Sequence, residues 1–149
     1  MSNRSFSLFF SSFLFLFLSK PIGAACIDVE KANLRHGPST NHQKTWEVYR
    51  YMPFKILRTQ GDWLRIQDLD SDIHWIHNSL ISKNLKCAVV KVEKANIRKG
   101  PGGQYPKVAW SPTQKYYAFK VLRSKSSWLE VEDAAGNKGW ISQSLVWMP

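Results

Sequence analysis

The sequence predicts an all-β protein made of two tandem small β-barrels that follow an N-terminal signal peptide. Three observations carry this expectation. An apolar segment with the layout of an export signal opens the chain, one set of short blocks occurs twice in the same order, and both copies read as short strands broken by turn residues.

The opening segment places Arg4 before an apolar stretch, Phe6 to Leu18, and ends in the small residues Gly23, Ala24 and Ala25. This is the three-part pattern of a secretory signal. The stretch is 13 residues long, short of the roughly 20 that a helix needs to cross a bilayer core. Removal is therefore expected in place of anchoring, with no transmembrane span in the mature chain. Small residues at the first and third positions before the cut favour cleavage after Ala25, with a cut one residue earlier nearly equivalent. The expected divisions are 1–25 for the signal peptide, 26–86 for the first domain and 87–149 for the second. The mature protein is expected outside the cytoplasm, periplasmic or extracellular.

Cleavage would remove six of the eight Phe and none of the seven Trp or five Tyr, leaving a chain rich in amphipathic aromatics. It would also remove Arg4 and Lys20, so that 19 Lys and Arg stand against 11 Asp and Glu, a formal charge of +8. Such a field attracts anions at long range without specifying a fold. In an envelope those anions are wall carboxylates, lipid phosphates and acidic proteins, not nucleic acid. The same excess of Lys and Arg also serves solubility alone.

The repeat is the strongest signal. Val29-Glu-Lys-Ala-Asn-Leu-Arg-His-Gly-Pro38 recurs as Val92-Glu-Lys-Ala-Asn-Ile-Arg-Lys-Gly-Pro101, at an offset of 63. Phe54-Lys-Ile-Leu-Arg58 recurs at Phe119-Lys-Val-Leu-Arg123, Trp63-Leu at Trp128-Leu and Trp75-Ile at Trp140-Ile, all at an offset of 65. A two-residue insertion therefore lies between Pro101 and Phe119. The connection Ser82 to Lys86 is too short to be a free linker, so the copies are expected to touch.

Within each copy, runs of Val, Ile, Leu and aromatics are separated by Gly, Pro, Asn, Asp and Ser, which predicts about five short strands per copy. Alternation along Trp46-Glu-Val-Tyr-Arg-Tyr51 puts Trp46 and Val48 on one face and Tyr49 and Tyr51 on the other. Asp68 to Asp72 and Asp133 to Asn137 read as hairpin turns. A barrel would remove the free sheet edges by closing.

The ordered set Ala-Asn-Leu-Arg-His-Gly-Pro, Gly61-Asp-Trp-Leu-Arg-Ile and Trp75-Ile resembles bacterial SH3-like domains. So does the second set, Ala95-Asn-Ile-Arg-Lys-Gly-Pro101, Trp128-Leu-Glu-Val and Gly139-Trp140-Ile. The likeness covers nearly all of the mature chain. His74 departs from it, standing where such domains usually have Gly before the Trp. The resemblance implies a small β-barrel that accompanies proteins at peptidoglycan or targets them there, and it implies no catalysis. The acidic loop and paired-Tyr signature of peptide-binding eukaryotic relatives is not present.

In the Asn-x-Arg-x-Gly-Pro element, Gly is expected to supply an unusual φ, Pro to fix the next, and Asn33 and Arg35 to hydrogen-bond the loop that follows. Trp75 and Trp140 are expected to anchor the cores. The candidate ligand-binding residues are the aromatics beyond those needs: Trp46, Tyr49, Tyr51 and Trp63 in the first copy, and Trp110, Tyr116, Tyr117 and Trp128 in the second. A surface Tyr or Trp offers a flat apolar body with a polar handle, suited to sugars, peptides and partner side chains. Arg50, Lys55, Lys115 and Lys120 nearby add attraction for carboxylates. Internal packing is the competing use for all these rings.

His36, His42, His74 and His77 do not make a metal site by spacing, because His74 and His77 would face opposite sides of a strand and no ligand set completes them. No nucleophile–base pair, paired carboxylates or phosphate loop is present, so neither enzyme activity nor a cofactor is expected. Cys26 and Cys87 are expected to form a disulfide, which export permits and which the closeness of the first and last strands in an SH3-like barrel would allow. Lipid modification of Cys26 is the alternative, against which Gly23 stands where a bulky aliphatic is usual. The expected partner is cell-wall peptidoglycan or its stem peptides, with an envelope protein docked by an adaptor as the second reading.

Overall fold

The computed structural model describes residues 20–149; the expected signal's apolar stretch lies outside them. The first copy forms β1 (Gly23–Ile27), β2 (Lys31–Arg35), β3 (Lys44–Tyr49), β4 (Pro53–Gln60), β5 (Trp63–Gln67), β6 (Ile73–His77) and β7 (Ile81–Ser82). The second forms β8 (Cys87–Val90), β9 (Lys94–Ala95), β10 (Thr113–Gln114), β11 (Ala118–Lys125), β12 (Trp128–Glu132), β13 (Lys138–Ser142) and β14 (Val146–Trp147). Strand β1 begins three residues before the boundary expected from the sequence, pairing Gly23, Ala24 and Ala25 with Ile56, Lys55 and Phe54.

The first copy is one antiparallel sheet in the order β3-β2-β6-β5-β4-β1-β7. The second repeats its major part as β13-β12-β11-β8-β14, with β9 and β10 as a separate ribbon. One expectation is corrected here: the sheets do not close. Strand β7 is two residues long and β2 reaches β6 through the single pair Arg35–Trp75, so no ladder joins the ends of the first sheet. In the second copy, the two extra residues and Pro106 and Pro112, which lack a ladder donor, fall in the loop before β10. The ribbon is accordingly short, and three residues beyond β9 the chain meets β13 at the isolated bridge Arg98–Trp140.

Alternation builds the cores as the repeat requires. Leu34, Val48, Phe54, Ile56, Leu64, Ile66 and Ile76 fill the first, and Ile97, Phe119, Leu129, Val131 and Ile141 the second. Matched residues occupy matched environments. Trp75 and Trp140 are each 7% exposed, with Arg58 at 5.3 Å over the first ring and Arg123 at 5.2 Å over the second. Asp68 Oδ1 accepts from the amides of Asp70 and Asp72, and Asp133 Oδ1 from those of Ala135 and Asn137, all at 2.9 Å. Both hairpins are thus closed by a buried carboxylate that reinforces the backbone bonds from the Asp68 amide to the Asp72 carbonyl and from the Asp133 amide to the Asn137 carbonyl.

Strand β8 joins the copies. Its residues are all buried, and the period of two divides them: Ala88 and Val90 enter the second core, whereas Val89 enters the first. Cys87 is bonded to Cys26, with Cα atoms 6.1 Å apart, and Tyr51 packs with them. A lipid thioether at Cys26 would need the sulfur that this bond occupies. Among the described residues, no helix is long and apolar enough to cross a membrane.

Candidate functional site

The duplicated Asn-x-Arg-x-Gly-Pro element is a loop brace. Arg35 Nη1 donates to the His42 carbonyl and Arg98 Nη1 to the Tyr105 carbonyl, each at 2.8 Å. The glycines do not supply an unusual φ, which corrects that expectation; Gly61 and Gly136 are the described glycines with positive φ. Instead they admit a ring. A Cβ on Gly37 would lie 2.3 Å from the His42 ring, and one on Gly100 2.4 Å from the Tyr105 ring.

The aromatic candidates separate into two groups. Tyr51 is buried beside the disulfide, with Lys120 Nζ 5.7 Å from its ring. Trp110 packs on Phe119 and covers the space beside Gly139. Trp63 and Trp128 are half-buried at the starts of β5 and β12, where Trp63 meets His77 edge-on. The other four come together at the seam between the copies. Trp46 stands edge-on to Tyr116 at 5.5 Å, while Tyr49, Tyr116 and Tyr117 are exposed and line one cleft of about 310 Å³. Arg50, Met52, Ala118, Ala134 and Ala135 complete its walls.

Each tyrosine hydroxyl of the cleft donates to a carboxylate of the protein itself. Tyr49 bonds Glu47 at 3.1 Å, Tyr116 bonds Asp70 at 2.5 Å and Tyr117 bonds Asp133 at 3.0 Å. The rings are therefore held, and their faces rather than their polar tips are what the cleft offers. Burial, with the bond to Asp133 next, pushes the Tyr117 phenol up to about 12. Asp133 is lowered in spite of its burial, which acts the other way, because Asn137, Tyr117 and the Ala135 amide all donate to it.

Asp70 ties the seam. It accepts from Tyr116 and, at 3.1 Å, from Lys115 Nζ, and these bonds, Tyr116 first, hold its carboxyl below the usual range. Its counterpart in the repeat is Ala135, so the tie runs from the first copy to the second only. Asp70 and the two hairpin alanines were not among the sequence candidates. The mismatch between Asp70 and Ala135 is the one hint the chain carries, and it does not reveal what Asp70 touches.

The histidines are accounted for separately. His74 Nδ1 meets Thr45 Oγ1 at 2.8 Å and Nε2 meets Asp68 Oδ2 at 3.1 Å, so the residue that replaces glycine is a buried, bonded core group. His77 accepts from the Ser79 amide at a single 3-10 turn, Asn78–Leu80. Among the described residues, no group of three or more His, Cys, Asp or Glu side chains is arranged to hold a metal ion.

Comparison with known proteins gives three findings. A family model described as "Bacterial SH3 domain" matches residues 28–83 and again 91–148. The Bacillus subtilis (strain 168) protein YrvJ, which bears the name of an N-acetylmuramoyl-L-alanine amidase, is 26% identical over 134 residues. The match takes in 83% of this chain but only 25% of that protein's length. Among solved structures, NlpC2 from Trichomonas vaginalis is 11% identical, covering 87% of this chain and 48% of its own, with a TM-score of 0.38. The structure titled "Endolysin LysPBC5 CBD" is 16% identical over 87% of this chain and 95% of its own, with a TM-score of 0.35.

Proposed function

Since the chain belongs to the bacterial SH3 domain family through both of its halves, we propose that it is a non-catalytic, exported binding protein of the cell envelope whose ligand is peptidoglycan. The observation that carries this reading is the seam cleft: three exposed tyrosine rings from two copies, each fixed by its own carboxylate, around a basic residue. Pre-fixed rings give up little side-chain freedom on binding, which is the usual cost of an aromatic contact. The name of the B. subtilis relative is consistent with the same polymer, since the bond an N-acetylmuramoyl-L-alanine amidase cleaves belongs to peptidoglycan. The site is composite, so neither copy alone would present it.

An adaptor role is the second reading. It is favoured by β3, which pairs on one side only and leaves a sheet edge open to an added strand. Co-sedimentation of the mature protein with purified sacculi, run beside cross-linking in intact cells, separates the two. Retention on protein-free sacculi is expected; cross-links to one envelope protein with no retention on sacculi would favour the adaptor and refute wall binding.

A further inference from the structure

Among the described residues, Arg50 is the only charged one lining the seam cleft, and it is the one cleft group left without a partner that matches its chemistry. The repeat makes the comparison internal to the molecule. Its counterpart at an offset of 65 is Lys115. Both residues hold equivalent backbone places, the Arg50 amide donating to the Glu30 carbonyl and the Lys115 amide to the Glu93 carbonyl. Their side chains differ. Lys115 is engaged by Asp70 at 3.1 Å and lies 4.8 Å from the Tyr116 ring centre. Among the described residues Arg50 is in no ion pair and its buried Nε has no hydrogen-bond partner, while its Nη2 makes one long contact, 3.5 Å, to the Asp28 carbonyl. Glu30 lines a neighbouring recess with it, and the bond between the two runs through the backbone, from the Arg50 amide to the Glu30 carbonyl.

A half-buried guanidinium left in this state is costly unless something completes it. The rest of the cleft says what that something is. With the three phenol protons donated to Glu47, Asp70 and Asp133, no tyrosine O–H of the cleft remains to donate to the hydroxyl and ring oxygens of a sugar. Ring faces, Met52 and the methyl groups of Ala118, Ala134 and Ala135 suit flat amide planes and small apolar side chains instead. We infer that Arg50 is the specificity-determining residue of this cleft and that it recognises the terminal carboxylate of a short peptide with small side chains. The inference rests on the cleft being the ligand site, and it assigns recognition to the peptide part of the wall and not to its glycan. A planar guanidinium accepts a carboxylate through two parallel bonds, which a lysine cannot reproduce.

The test uses three probes against the mature full chain: N-acetyl-Lys-D-Ala-D-Ala, the same peptide as its C-terminal amide, and chitotetraose. Binding is followed by amide chemical shifts and calorimetry. The acid peptide is expected to move the amides of Arg50, Tyr117, Ala134 and Ala135, and to bind about tenfold or more tightly than the amide, as a charge-assisted paired bond implies. Arg50→Gln should abolish the preference for acid over amide, and Arg50→Lys should restore only part of it. Equal binding of acid and amide by the unaltered protein would overturn the inference without recourse to any variant. So would chitotetraose in the cleft binding more tightly than the acid peptide. If sacculi are retained but the acid and amide do not differ, the inference alone fails; if neither sacculi nor peptide binds, the wall-binding reading fails with it.

Discussion

Breaking the Cys26–Cys87 bond should destabilise the whole chain, not just the first copy. The bond closes a loop with a sequence separation of 61, which contains the first copy from Cys26 onward. For a loop of that length the chain-entropy model gives about 4 kcal/mol, a large part of the roughly 5–15 kcal/mol by which domains are stable. The structure adds a reason for the effect to spread. Tyr51, Leu85 and Ala118 pack around the sulfurs, and Val89, two residues past Cys87, sits in the first core although it belongs to the second copy. Urea titration followed by tryptophan fluorescence, with and without reductant, measures the effect. With a slope near 2 kcal/mol per molar, the midpoint should fall by about 2 M, and Cys26→Ala with Cys87→Ala should reproduce it. A loss under about 1 kcal/mol, far below the loop estimate, would refute the entropic argument. Two well-separated transitions in the oxidised protein would refute the claim that the seam couples the copies.

Further outcomes follow from the site. Asp133→Ala strips acceptors from two hairpin amides, Asn137 and Tyr117, at a residue only 2% exposed, and should cost about 1 to 3 kcal/mol by thermal melting. Because the Asp133 pKa is lowered on folding, its contribution is full above the ordinary carboxylate pKa and lost as pH falls through the lowered value. The variant should therefore show a flatter acid limb. Tyr117 has the opposite sign: its raised pKa contributes below pH 10 and is lost as pH rises toward about 12. Phenolate absorbance should show late titration by Tyr117 and by Tyr116, which its bond to Asp70 also raises, and Asp133→Ala should move the Tyr117 component earlier. Gly37→Ala and Gly100→Ala should each displace the ring that lies over the glycine, visible as shifts of the His42 and Tyr105 ring resonances; unchanged ring positions would show that the backbone yields instead.

The fold was legible because the chain states it twice. Trp75 and Trp140, Asp68 and Asp133, and Arg35 and Arg98 are paired in sequence and found in matched settings, since local pattern and turn chemistry act over a few residues. Closure was not legible, because it depends on how far short strands such as β7 and β9 extend their ladders. The role of Gly37 and Gly100 was misread for a similar reason: a positive φ and the close approach of a ring call for the same residue. Of the aromatic candidates, Tyr51 and Trp110 could not be told from Tyr49 and Tyr116 by composition. What separates them is the seam, where residues more than 40 positions apart, such as Asp70 and Tyr116, are brought together by β8. No local pattern in one copy encodes a surface formed by two.

Sedimentation of Tyr49→Ala/Tyr116→Ala/Tyr117→Ala with purified sacculi, at low and high salt beside the unaltered protein, tests the central claim most directly. Tyr51 is left in place because it supports the disulfide. Loss of a stacked ring costs about 1 to 3 kcal/mol in other ring-stacked complexes, so the triple variant should fall to background in both buffers, while the unaltered protein keeps most of its binding when salt is raised. Retention of the triple variant, or complete loss of the unaltered protein in high salt as a charge-only attraction would give, would contradict the claim that the tyrosine cleft binds the wall.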